Sequence, residues 1–151
     1  STANAPTGRY RHTAVWTGSA MIVWGGTGAT VFDSGGRYDP ATDSWTGIAS
    51  GGVARYAHTA VWTGSRMIVW RHNSLAGVPV EGSRYDPVAD TWSPTTMSGA
   101  PLAALDPSGA VWTGSAMVLW PGSRYNPVAD TWAPIAEHLP AVLSVKVQTL
   151  A

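Results

Sequence analysis

The sequence lacks cysteine and has few charged residues. Without cysteine the chain forms no disulfide, offers no thiolate to a metal and carries no thiol nucleophile. Charged residues make up 12% of the 151 positions, about half of the usual quarter, and nine basic residues balance nine acidic ones. Because the basic residues are scattered singly, nothing predicts a nucleic-acid partner or binding to an anionic membrane.

Long apolar runs are also missing. No stretch approaches the roughly 18 residues that cross a bilayer. The best candidate, residues 140–151, is short and contains Lys146 and Gln148. We therefore expect no transmembrane segment. The first residue is Ser1 rather than methionine, so we expect a processed or trimmed chain from which any signal peptide has been removed.

Tryptophan, glycine and proline are abundant, and one phrase occurs three times. HTAVWTGSAMIVWGG begins at His12, HTAVWTGSRMIVW at His58 and GAVWTGSAMVLW at Gly109. A period of about 40 to 50 residues is typical of folds whose units bury their apolar faces against each other. All nine tryptophans fall at three equivalent positions: Trp16, Trp62 and Trp112; Trp24, Trp70 and Trp120; Trp45, Trp92 and Trp132.

Each repeat predicts four short β-strands. In the first repeat, HTAVW and AMIVW flank residues 17–19, a short glycine-containing break that is typical of a hairpin. The continuous apolar run 21–24 predicts a strand buried on both faces. Tyr38 then leads into an Asp-Pro turn, after which a strand resumes at Trp45. Four antiparallel strands per repeat predict an all-β fold, a β-propeller segment of three four-stranded blades.

The repeats resemble Kelch repeats, whose hallmarks are a Gly-Gly pair after the second strand and a tyrosine separated by six residues from a tryptophan. Gly25 and Gly26 supply the pair in the first repeat, whereas the second has Arg-His and the third Pro-Gly at that place. The resemblance covers residues 8 to 133. The tyrosine spacing occurs from Tyr38 to Trp45, from Tyr85 to Trp92 and from Tyr125 to Trp132.

The repeats divide the chain into five predicted parts: an N-terminal tail (1–7), blade 1 (8–48), blade 2 (49–96), a shortened blade 3 (97–134) and a C-terminal segment (135–151). In the last part apolar and polar residues alternate, which predicts a half-buried strand. This strand would either begin a fourth sheet or pair with an exposed sheet edge, for example in another subunit. Alternatively, it would cap blade 3.

Three blades are too few to close a ring, since closed propellers usually have four to eight. We therefore predict that the outer faces of the first and last blades are apolar surfaces that need a partner. Three arrangements would provide such a partner. The chain could form a homo-oligomer, for example a dimer that completes a six-bladed ring. It could complete a ring with different chains, or it could be a fragment cut from a longer propeller.

The recurring polar residues are predicted to be structural. His12 and His58 hold equivalent positions in their repeats. A pair of imidazoles can bind a metal or move protons, but a histidine that bonds the backbone of a neighbouring blade would recur in the same way. Since the third repeat has Ser108 there, we expect no metal and no cofactor. Arg37, Arg84 and Arg124 precede the repeated tyrosine and are predicted to stack and to bond carbonyls between blades, with an anion-binding surface as the alternative.

Paired carboxylates recur beside the Asp-Pro turn and suit acid–base chemistry, but their repetition favours bonding of the turn itself. We therefore predict no catalytic residue. They are Asp39, Asp86 and, in the third repeat, Asn126, each followed four residues later by Asp43, Asp90 and Asp130.

Any binding site specific to one repeat is expected in the second loop, because loops carry variable binding surfaces. The predicted binding residues are Arg71, His72, Asn73 and Glu81. The predicted function is that of a non-enzymatic, protein-binding and structural subunit. Two alternatives remain open: the propeller of a secreted enzyme resembling the galactose-oxidase group, whose copper site uses Tyr, His and a cross-linked Cys, and a carbohydrate-binding module with exposed tryptophans. The resemblance to secreted bacterial Kelch proteins implies an extracellular or periplasmic location.

Overall fold

The computed structural model describes residues 1–70, 81–101, 109–119 and 122–135. Within these residues the chain is all-β, and its strands form three antiparallel sheets of four strands each. The predicted fold class is therefore confirmed: the sheets are three blades of a partial propeller. This part of the chain contains no helix, and hence none of the length and apolarity needed to cross a membrane.

In each blade the strands pair in chain order. Blade 1 consists of β1 (Thr13–Trp16), β2 (Met21–Trp24), β3 (Gly35–Asp39) and β4 (Ser44–Ile48). Blade 2 consists of β5 (Thr59–Trp62), β6 (Met67–Trp70), β7 (Gly82–Asp86) and β8 (Thr91–Pro94). Blade 3 consists of β9 (Ala110–Trp112), β10 (Met117–Leu119), β11 (Ser123–Asn126) and β12 (Thr131–Pro134).

The repeated Thr-Gly-Ser phrase forms the predicted hairpin between the first two strands of each blade. In blade 1 the Thr17 hydroxyl donates to the carbonyl of Ala20 and accepts from its backbone N–H, at 3.0 and 2.9 Å. Gly18 has a φ of 102°, a conformation that glycine adopts without strain. Thr63 and Thr113 make the same contacts in the other blades, so the phrase recurs because the hairpin recurs.

The second strand of blade 2 is buried on both faces, as the continuous apolar run predicts, and so is that of blade 1 except at Met21. Each sheet presents a forward face to the following blade and a rear face to the preceding one. The forward faces carry Val15, Ile22 and Trp24 in blade 1, and Val61, Ile68 and Trp70 in blade 2. The rear faces that they contact carry Met67, Val69 and Tyr85 in blade 2, and Met117, Leu119 and Tyr125 in blade 3.

Aromatic rings join the blades across both interfaces. Trp24 of blade 1 packs against Trp92 of blade 2 with ring centroids 4.7 Å apart, and Trp70 of blade 2 meets Trp132 of blade 3 at 4.3 Å. Within each blade the tyrosine and tryptophan of the six-residue spacing lie side by side on the rear face, with centroids 4.9 to 5.1 Å apart. The repeated aromatics therefore build the interfaces that hold the array together.

Candidate functional site

A polar clip on the rear face of blade 2 holds the chain that leaves blade 1. The Oδ1 atom of Asp90 accepts hydrogen bonds from the backbone N–H of Ala49, at 2.8 Å, and from the Tyr85 hydroxyl, at 2.7 Å. Trp92 completes the clip, because its indole N–H donates to the carbonyl of Ala49 at 2.9 Å. Both backbone groups of one linker residue are thereby satisfied.

Blade 3 carries the same clip. Asp130 accepts from the backbone N–H of Thr96 at 2.9 Å and from the Tyr125 hydroxyl at 2.6 Å, and Trp132 donates to the Thr96 carbonyl at 3.0 Å. Thr96 follows the last strand of blade 2, as Ala49 follows the last strand of blade 1. The clip is therefore the repeated device that fixes one blade to the next.

In blade 1 the clip is filled by the chain's own first residue. The backbone nitrogen of Ser1 donates to Asp43, and Trp45 donates to the Ser1 carbonyl at 3.3 Å. The following residues cross the rear face so closely that a Cβ added to Gly36 would lie 2.6 Å from Pro6. Residues 1–8 thus cover the outer half of the blade 1 rear face, which β3 and β4 form.

The clip carboxylates stay ionised at neutral pH. The backbone N–H of Ala49, followed by the Tyr85 hydroxyl, lowers the pKa of Asp90. Burial raises the pKa of Asp130, but hydrogen bonds from Tyr125 and Thr96 outweigh burial and leave it lowered. An ionised acceptor with two donors fixed on it is suited to holding a chain segment rather than to moving protons.

The turn carboxylates divide into two groups. Asp39, Asp86 and Asn126 accept hydrogen bonds from backbone N–H groups two or three residues ahead, so the predicted turn bonding is confirmed for them. For Asp90 and its equivalents the prediction was wrong, because their carboxylates bind the clip partners instead. The sequence signal for this role was present: an aspartate lies five residues after the tyrosine and two before the tryptophan in every repeat.

On the inner half of the blade 1 rear face, the described residues leave Trp16 and Met21 uncovered, whereas Val23 on β2 is buried. Trp16 on β1 is 54% exposed, although its equivalents Trp62 and Trp112 are half-buried against the preceding blade. Met21 is partly exposed, whereas Met67 and Met117 at the same place are fully buried. The blade 1 end face, as we name this surface, comprises Ala14, Trp16 and Met21.

The part of the chain that the structure describes also leaves the forward face of blade 3 partly uncovered. Val111 is 64% exposed, whereas its equivalents Val15 and Val61 are 8% and 6% exposed. Val118 is half-buried, where the other two blades have fully buried isoleucines. The blade 3 end face comprises Val111 and Val118 on its two inner strands. The blade 3 end face thus corresponds to the forward side of an internal interface, and the blade 1 end face corresponds to the rear side.

Two similar grooves lie between neighbouring blades. The groove between blades 1 and 2 has a volume of about 530 Å³ and is lined by Trp62 and Arg37 among others. Its counterpart between blades 2 and 3 has about 800 Å³, with Trp112 and Arg84 in the equivalent places. An aromatic ring flanked by a hydrogen-bonding cation is a combination that polar ligands use.

Most of the predicted binding loop lies outside the described residues: Arg71, His72 and Asn73 fall there. The structure places Glu81 beside Arg55, whose guanidinium donates to the Glu81 carbonyl at 2.6 Å. Burial lowers the pKa of Arg55 to about 10, and the Glu81 charge opposes that shift. The described contact of Glu81 is therefore one that holds its own blade together.

The two repeated histidines have different environments. His58 is buried, and its Nε2 lies 2.7 Å from the hydroxyl of Thr13 on blade 1, while His12 is exposed. The predicted bond to a neighbouring blade is thus made to a side-chain hydroxyl rather than to the backbone. Gly25 permits the close approach, because a Cβ there would lie 2.6 Å from the imidazole. Among the described residues no group of three metal-ligating side chains converges.

Arg84 bonds across the interface as predicted. Its guanidinium donates to the carbonyl of Pro127 in blade 3 at 3.4 Å and to that of Pro94 at 3.0 Å. It also lies 3.6 Å from the carboxylate of Asp130, the clip acceptor of blade 3. The ring contacts expected of these arginines are made instead by Arg9, Arg11 and Arg55, which lie over Phe32, Tyr56 and Trp24.

Comparison with known proteins assigns no family. No protein-family model matches the chain. No curated protein matches it either. The functional conclusion therefore rests on the fold and on the surfaces described above.

Proposed function

We propose that this chain is a non-enzymatic structural and protein-binding module of the Kelch type, which docks propeller blades of a partner on its two end faces. The observation that carries the proposal is the exposure of Trp16 and Val111. Both occupy positions that a neighbouring blade covers in the two internal interfaces. Exposed apolar surface of this kind marks a protein interaction site.

The partner is either another copy of this chain or a different chain that carries blades of the same kind. The proposed location is extracellular or periplasmic, for which the resemblance to secreted bacterial Kelch proteins is the support. A carbohydrate-binding role is the second candidate, favoured by the half-buried Trp62 and Trp112 in the grooves between blades. For an enzyme like those of the galactose-oxidase group the described residues offer no supporting arrangement.

A tandem chain tests whether the end faces dock at all. In two copies of the 151-residue sequence joined by a flexible Gly/Ser linker, blade 3 of the first copy meets blade 1 of the second at high effective concentration. Since the chain has no cysteine, Ala14→Cys in the second copy is a unique thiol on the blade 1 end face. We expect thiol labelling to be at least about tenfold slower in the tandem than in the dilute single chain.

Ser19→Cys is the matched control, because Ser19 lies exposed on the hairpin of the same blade, outside the end face. Its labelling rate should be the same in the tandem and in the single chain. Equal labelling rates at position 14 in the two chains would show that the faces do not dock, and the proposal would fall.

A further inference from the structure

We propose that the two end faces bind each other between two copies of this chain, with blade 3 of one copy packed head-to-tail on blade 1 of the other. This inference rests on the proposed function and names its partner. Two such contacts give six blades, within the usual range of closed propellers, so the pair closes on itself.

The register of this contact follows from the internal interfaces. The first strands of successive blades lie side by side, β1 with β5 and β5 with β9. In the pair, β9 of one copy therefore lies beside β1 of the other. Val111 then takes the place that Val15 and Val61 have inside the chain, and Trp16 takes the half-buried place of Trp62 and Trp112.

Among the described residues, the N-terminal segment leaves Trp16 and Met21 open to this contact. The outer half of the blade 1 rear face is covered by residues 1–8, and Ser1 fills its clip. These residues do what the linkers at Ala49 and Thr96 do in the other blades. An incoming blade therefore packs on blade 1 mainly through its two inner strands, which carry the blade 3 end face.

Charge complementarity supports the same pairing. Inside the chain, Arg84 on blade 2 lies beside the clip carboxylate of the following blade, Asp130. The equivalent of Arg84 on blade 3 is Arg124, which is exposed. The equivalent of Asp130 on blade 1 is Asp43, whose side chain is 59% exposed. Head-to-tail packing brings Arg124 of one copy to Asp43 of the other and repeats the internal ion pair.

The end faces also lack the features of a capped array. Terminal repeats of solenoids that remain single carry polar outer faces. Here the outer faces keep the tryptophan and valine of the interior repeats, and the side chains of Ala14, Met21 and Val118 add no charge. A second copy is the partner that offers both matching halves at once.

The test is a mixing experiment with two variants that block one face each. Trp16→Glu puts a charge on the blade 1 end face, and Val111→Glu puts one on the blade 3 end face. We expect the wild type to have twice the 15.8 kDa chain mass by light scattering. Each variant alone should be a monomer. The equimolar mixture should return to twice the chain mass, because one intact interface remains between unlike variants.

Val128→Glu is the matched control, since Val128 is 94% exposed on the turn of blade 3, away from both end faces. This variant should pair as the wild type does. If Val111→Glu fails to fold by circular dichroism, Arg124→Glu replaces it, because that substitution changes only an exposed side chain.

The remaining outcomes overturn the proposal in distinguishable ways. Loss of pairing in Trp16→Glu but not in Val111→Glu would show head-to-head contact, and large open polymers of the wild type would contradict the closed pair. A mixture that stays monomeric would contradict head-to-tail packing. A monomeric wild type together with a protected thiol in the tandem chain would reject the second copy as partner and leave the proposed function standing.

Discussion

His58 is a buried histidine between blades 1 and 2. Its imidazole is 5% exposed, contacts the edge of Trp24 and bonds Thr13 through Nε2, while Nδ1 has no hydrogen-bond partner. Burial lowers the pKa of His58 to about 3, and the charge of Arg55 acts in the same direction. A protonated imidazole therefore does not fit between blades 1 and 2.

The stability of the protein should consequently fall in mild acid. The unfolded chain takes up a proton on His58 near the ordinary pKa of 6.5, whereas the folded chain takes it up only near 3. Between these pH values the unfolded state binds more protons, so the free energy of unfolding falls by at most about 1.4 kcal/mol per pH unit. Urea denaturation between pH 7 and about 5, above the range where carboxylates titrate, measures this slope.

His58→Gln should flatten that slope, because glutamine does not titrate, and His12→Gln, which removes only a minor cause of the lowered His58 pKa, should change it far less. The exposed His12 is the matched control at the equivalent position of blade 1. A His58→Gln protein with the wild-type slope would contradict the account of this residue.

Among the elements, the fourth strand of one blade and the linker that follows it are tied to the next blade through the clip. Asp90 makes two of the three hydrogen bonds of the clip that holds Ala49 on blade 2. It also has a φ of 52°, in the left-handed region that asparagine and glycine tolerate best. Substitutions here must therefore separate the loss of the acceptor from backbone strain.

Asp90→Gly and Asp90→Asn make that separation, since both residues accept the positive φ. Glycine has no side-chain acceptor, so the N–H of Ala49 and the Tyr85 hydroxyl lose their hydrogen-bond partner. We expect Asp90→Gly to lower the free energy of unfolding by about 1 to 3 kcal/mol. Asp90→Asn keeps an oxygen acceptor and should cost clearly less. Equal losses in urea denaturation would show that the clip contributes no specific bond.

The elements differ in how far the sequence predicts them. The hairpins and the buried second strands follow from local pattern, because the Thr-Gly-Ser phrase and the run 21–24 carry their own structure. The clip partners do not, since Asp90 binds a backbone amide 41 residues away and backbone groups leave no signature in the sequence. Likewise, the sequence of residues 1–7 predicts a tail, yet Ser1 fills a clip that only the folded array creates.

For the molecule as a whole, the repeat predicts the number of blades and the unpaired character of the outer faces, and the structure shows which side chains those faces carry. Trp62 and Trp112 pack against the preceding blade, whereas Trp16 at the equivalent position is exposed. An aromatic side chain of this size buries on the order of 150 to 250 Å² when covered. We therefore expect another blade to complete the array.

The most direct test of this completion is the native mass of the purified wild-type chain by light scattering, measured over a range of concentrations beside Trp16→Glu. We expect a particle of twice the 15.8 kDa chain mass for the wild type and a particle of the single chain mass for the variant. A wild type that keeps the mass of one chain at every concentration, or a variant that associates as the wild type does, would contradict self-completion of the array.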